Sequence, residues 1–287
     1  MQLLALLLLM TGFNVYAEVF EFGIASDMGK KNQNQRSVFE SMVENKIGKL
    51  IMAGDNIYQV NSTYESTWSD FTGGNFSFEV TAIGNHNFGY SSEIKFFKMP
   101  GEYYVKTFGK RIQFIVLNSD NIENVNEQFK FLENALKQTN RNMMTFLVYH
   151  HPTYTISKTH AWTEKKQFQS NMRNVFKNHK DKIRAVIVGH DHLTSVGLFG
   201  DIPYLIAGAT QEVRNEKATN DTQDGVNVST AWYFKGNPTW IKMSVNDKSG
   251  QIKLQMVDAK EKKSVCDAEL TADKKFTLSE NCKNPKL

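Results

Sequence analysis

Short apolar runs recur along the chain, and several end on a polar residue suited to metal or phosphate chemistry. Residues 19–26 (VFEFGIAS) lead into Asp27, residues 49–54 (KLIMAG) into Asp55, and residues 79–84 (EVTAIG) into Asn85. Residues 112–118 (IQFIVLN) form another run, residues 145–149 (TFLVY) lead into His150, and residues 185–189 (AVIVG) into His190. Such runs predict buried strands. Between them the apolar period becomes helical. Val38, Phe39, Met42, Val43 and Ile47 share one face, as do Phe129, Leu132 and Leu136, and again Phe168, Met172, Val175 and Phe176. Alternating strands and helices predict an α/β layered fold. The later runs 203–208, 240–245 and 251–257 have no helical pattern between them, which predicts a second, more antiparallel sheet packed on the first.

Ligand sites in open α/β sheets gather beyond the carboxyl ends of the strands. Asp27, Asp55, Asn85, His150 and His190 all stand at such ends. The pattern therefore predicts strand tips that present hard, metal-seeking atoms along one edge.

Composition narrows the class. A chain of 287 residues buries a large core without needing a disulfide framework. Its 22% charged and 12% aromatic residues are those of a globular protein. The net charge of +4 is scattered, with no basic run or stacking-aromatic module, which argues against a nucleic-acid partner. Residues 1–17 carry no charge, and their apolar block, Leu3 to Met10, is short of the roughly 20 residues of a membrane span. Val15-Tyr16-Ala17 reads as a small-residue cleavage site, so residues 1–17 are expected to be a cleaved signal peptide, with no stable membrane insertion. Asn61, Asn75, Asn220 and Asn227 each begin a glycosylation pattern. Together these features predict a secreted or lumenal glycoprotein, whether extracellular, lysosomal or vacuolar. A single domain over residues 18–260 is expected, followed by an extension, 261–287, whose Cys266 and Cys282 can close a small loop in an oxidising compartment.

In chain order the polar motifs are Asp27-Met-Gly29, Gly54-Asp55-Asn-Ile-Tyr58, Gly84-Asn85-His86, His150-His151-Pro152 and Gly189-His190-Asp-His192. This ordered set resembles the calcineurin-like metallophosphoesterases. Tyrosine at the fifth place of GDNIY is similar to the purple acid phosphatase branch, and the chain length with Pro100-Gly-Glu-Tyr-Tyr104 to its small, tartrate-resistant type. The resemblance extends to about Val257. It implies a four-layer αββα sandwich of two packed mixed sheets flanked by helices, and a pair of metal ions bridged by Asp55. Asp27, Tyr58 and His192 would complete the first metal site, and Asn85, His150 and His190 the second. A phenolate favours a trivalent ion, which implies Fe(3+) beside Tyr58, with Fe(2+), Zn(2+) or Mn(2+) at the second site. Relatives that carry Asp-x-His at the first motif lack the tyrosine. Here position 29 is Gly and Tyr58 is present, so the missing ligand and its substitute occur together.

The same resemblance places His151 beside the ligands and assigns His86 and His160 to face the phosphate and the leaving group. The family has Asp or Glu after the first of these histidines, whereas this chain has Asn87, which removes a nearby negative charge. The implied reaction is hydrolysis of small phosphate monoesters at acidic pH by attack of metal-bound hydroxide, with a histidine protonating the leaving alcohol. The short stretch from Asn118 to Glu127 predicts an open site that needs no proteolytic activation, and a monomer is expected. A phosphodiesterase or nucleotide phosphatase on the same core stays open as an alternative, as does a secreted scaffold. Tyr103 and Tyr104 read as core or pocket wall, and His179 as a solvated residue.

Overall fold

The computed structural model describes residues 18–59, 61–74, 76–155, 157, 164–208, 221–223, 226–234 and 236–282; for residues 221–223 and 226–228 it describes the backbone alone. The expected signal peptide, His160, and the acceptors Asn75 and Asn220 lie outside the described residues. Asn61 is exposed in the turn that follows Tyr58.

The first half runs β1 (Val19–Ala25), α1 (Gln33–Glu44), β2 (Lys49–Ala53), α2 (Tyr64–Thr67), α3 (Ser69–Thr72), β3 (Ser77–Ala82) and α4 (Tyr90–Phe97). It continues through β4 (Tyr104–Phe108), β5 (Ile112–Val116), α5 (Val125–Gln138), β6 (Met144–Val148), α6 (Lys166–His179) and β7 (Ile183–Val188). The remainder is β8 (Thr194–Phe199), β9 (Ile202–Ala207), β10 (Asp221–Gln223), β11 (Val226–Phe234), β12 (Thr239–Asn246), β13 (Ile252–Asp258), β14 (Lys263–Leu270) and β15 (Phe276–Leu278).

These strands build two mixed sheets, ordered β15-β14-β13-β12-β1-β2-β3 and β10-β11-β8-β9-β7-β6-β5-β4. In the first, β1, β2 and β3 are parallel. In the second, β5, β6, β7 and β9 are parallel. Every residue of β5, β6, β7 and β9 is buried, as expected of parallel strands covered on both faces. The sheets meet through aromatic side chains, with Phe22 of β1 5.4 Å from Phe114 of β5 in an edge-to-face contact. On one outer side α1 lies over β12, where Trp240 Nε1 donates to Ser41 Oγ at 3.0 Å. On the other, Leu132 and Leu136 of α5 and Met172 and Val175 of α6 pack on Ile115, Leu147 and Val186. The result is a helix–sheet–sheet–helix sandwich.

Four expectations are corrected. The late runs do not make a sheet of their own: β9 joins β7 in parallel, while β12 and β13 extend the sheet of β1. Apolar patterning reports that a strand is buried, not which strand it pairs with. The domain does not stop at residue 260, because β14 pairs with β13 and β15 with β14, and the Cys266–Cys282 disulfide ties the end of this sheet. On α1, Val38 and Met42 are buried, but Val43 is 51% exposed and turns away from the sheet. His179 is not free in solvent: its Nε2 lies 2.8 Å from Glu133 of α5.

Candidate metal centre

The carboxyl ends of β1, β2, β3, β6 and β7 carry Asp27, Asp55, Asn85, His150 and His190 within three residues of the last paired position. The tips of β1 and β2 are laced together. Asp27 N donates to Gly54 O, Gly29 N to Asp55 O, and Tyr58 N to Gly29 O, at 3.1, 3.0 and 2.9 Å. Asp27, Asp55 and His190 have φ of 58°, 54° and 68°, in the left-handed region that non-glycine residues enter at a cost. At Gly29 a β-carbon would stand 2.1 Å from Ile57 N, so backbone fills the space where a side chain would be. Tyr58 reaches the centre from the far end of the same turn.

At that point Tyr58 Oη lies 2.9 Å from Asp55 Oδ2, 3.1 Å from Asp27 Oδ1 and 3.3 Å from His192 Nε2. His192 Nε2 is 3.3 Å from Asp27 Oδ1. The expected first set, Asp27, Asp55, Tyr58 and His192, is thus brought together. Of the second set, His150 and His190 meet with ring centres 5.1 Å apart. Asp27, Asp55 and His150 offer ligand atoms within 4.8 Å of one another, as do His150, His151 and His190. Asn85 is exposed at the tip of β3, next to His86, whose amide donates to Asp55 Oδ1 at 2.9 Å.

Burial alone would raise the Asp27 carboxyl, but the hydrogen bond and charge of His192, then His150, hold it below the usual carboxylate range. Burial would lower His150, yet Asp55 and Asp27 raise it to about 9. Tyr58 is pushed far above the ordinary phenol range by burial, then by both carboxylates. The cluster therefore gathers protons to balance its buried carboxylates, which is the role a cation fills. His150 Nε2 is fully buried and ion-paired with Asp55 Oδ1 at 3.1 Å, and it makes no aligned hydrogen bond among the described residues. A buried nitrogen beside two carboxylates and a phenol is a donor set that fits hard to borderline metal ions.

Around this centre, His86 is exposed and lies on the Tyr58 ring at 4.4 Å between centroids. His151 Nδ1 lies 2.9 Å from Ser119 Oγ, and its ring is 4.6 Å from that of His190, the adjacent place expected for it. Tyr104 is buried, with its hydroxyl bonded to Thr81 of β3, and Tyr103 packs on Phe131, so both are structural. Asn87 Nδ2 bonds Gly84 O at 2.9 Å and approaches Asp120 Oδ2 at 3.4 Å. A carboxylate from the loop after β5 thus stands near the position where the resemblance implies one in the motif. Sequence reasoning missed Asp120, its partner Lys165 (2.8 Å), and Glu164, whose Oε2 is 2.6 Å from His190 Nε2. It also missed the buried support under β2: Asn56 Nδ2 donates to Glu93 Oε1 at 2.6 Å, and Tyr64 Oη to Glu93 Oε2 at 3.1 Å. Of these residues only Asn56 belongs to a spaced motif, Gly54-Asp55-Asn-Ile-Tyr58.

No protein-family model matches the sequence, and no curated protein matches it. Solved structures do match in shape. GAP50, described as the anchor in the inner membrane complex of Plasmodium, is 13% identical with a TM-score of 0.69, covering 88% of this chain and 89% of its own. Purple acid phosphatase PPD1 from yellow lupin (Lupinus luteus) seeds is 15% identical with a TM-score of 0.63, covering 86% of this chain and 53% of its own. This chain spans about half the length of the lupin protein. PhoD is 13% identical with a TM-score of 0.61, covering 93% and 72%. The chain shares its fold with these three structures. Likeness at these identities concerns the fold, and function has to be argued from the site.

Proposed function

We propose that the chain is a dinuclear-metal phosphoesterase of the purple acid phosphatase kind, hydrolysing small phosphate monoesters under mildly acidic conditions in a secreted or lumenal setting. The observation that carries this reading is the convergence of Tyr58 with Asp27, Asp55 and His192 within 3.3 Å, on a turn closed against Gly29. Asp27, Tyr58 and His192 would hold one cation, and Asn85, His150 and His190 the other, with Asp55 shared between them. The pair, when bound, supplies the positive charge that draws in a phosphate group and eases the approach of water to phosphorus. Fe(3+) suits the phenolate site, and Fe(2+), Zn(2+) or Mn(2+) the other. His86, exposed beside Tyr58, is placed to hold a proton for the leaving oxygen, a task the resemblance also gives to His160. An imidazole that must be protonated for this step favours acidic conditions.

The test is the visible spectrum of iron-loaded protein. A purple to pink band that Tyr58→Phe bleaches is the expected result. A colourless, iron-free but active enzyme would remove the iron assignment and leave the hydrolase reading. A second reading, a non-enzymatic scaffold, is favoured by the likeness to GAP50. Protein that holds both cations yet fails to turn over p-nitrophenyl phosphate would support it.

A further inference from the structure

Glu164 stands two residues ahead of α6, outside every motif. Its Oε2 is 2.6 Å from His190 Nε2. A bare imidazole nitrogen and a carboxylate oxygen repel at that distance, so a proton lies between them, carried on the nitrogen. A metal would then approach His190 at Nδ1. His150 is fixed the opposite way. Its Nδ1 is 2.8 Å from the Ala53 carbonyl, which can only accept, so Nδ1 carries the proton and Nε2 is left. The next residue, Lys165, is anchored by its ion pair to Asp120 at 2.8 Å, which holds this stretch of chain against the centre.

We infer that Glu164 is a positioning residue for the second cation, holding His190 by Nε2–H so that Nδ1 faces the metal. A carboxylate in this place fixes the ring's orientation and proton position and makes the opposite nitrogen a stronger donor. The inference rests on the dinuclear reading above and adds a residue to it.

Equilibrium dialysis of metal-free protein against Zn(2+) tests it. The wild type is expected to bind two ions in separable steps. Glu164→Ala is expected to weaken one step about 10–100-fold and leave the other unchanged. Glu164→Gln, whose amide oxygen still accepts from Nε2–H, is expected to recover most of the loss. The side chain is 38% exposed, so neither change opens a cavity in the core. An alanine variant that binds both ions like the wild type would overturn the inference, as would equal weakening of both steps. A wild type that takes up fewer than two ions would instead sink the dinuclear reading, before any substitution is made.

Discussion

Glu93 is fully buried on α4, yet it is a carboxylate. Burial raises its pKa from 4.5 to about 7, against the bonds from Asn56 and Tyr64, while the Asp55 charge adds to the rise and His150 opposes it. The folded state therefore holds this proton more tightly than the unfolded chain does. The stabilisation is complete below pH 4.5 and is lost as pH rises through 7. Glu93→Gln is expected to flatten that loss, so that stability relative to wild type improves by about 3 kcal/mol from below pH 4.5 to above pH 7. Urea melts of both proteins across that range measure it, and parallel pH profiles would contradict it. Support residues of this kind could not be read from the sequence. Glu93, Glu164 and Asp120 are single acids in polar surroundings, and only the folded chain shows which imidazole, amide or lysine each one meets.

At the scale of elements, the strand tips were the legible part. A parallel strand buried on both faces is mainly apolar, and Asp27, Asp55, His150 and His190 each stand two residues beyond the end of such a strand. Pairing was not legible. Nothing in the composition of β9 or β12 separates their two sheets, and β14 alternates buried Cys266, Ala268 and Leu270 with half-buried Asp267 and Glu269, a pattern that does not name the strand it joins. The loop from β5 to α5 is short, as expected, and it is also pinned. Asn118 Nδ2 and Asn121 Nδ2 donate to Glu102 at 3.0 and 2.8 Å, while Gln128 Nε2 donates to Asn118 O at 3.0 Å. With the loop held down in this way, limited proteolysis is expected to leave p-nitrophenyl phosphate turnover unchanged. Strong activation of nicked over intact protein would show that a covering segment exists.

For the whole molecule, the sandwich brings residues 163 positions apart into direct contact, as in the bond from His190 N to Asp27 Oδ2 at 3.0 Å. Neither sheet suffices alone. Asp27, Asp55 and Asn85 come from the sheet of β1, and His150, His190 and His192 follow strands of the other. Packing of the two sheets is thus what assembles the centre, and loss of the inter-sheet core should cost metal binding together with the fold. The order of motifs was enough to name the candidate ligands, while their convergence depends on this packing. Counting tightly bound cations per chain, alongside p-nitrophenyl phosphate turnover on the same sample, tests it most directly. Two cations per chain, with turnover lost on chelation and regained on adding metal back, is the expected result. Folded protein that takes up no cation from iron and zinc solutions and hydrolyses nothing would contradict it.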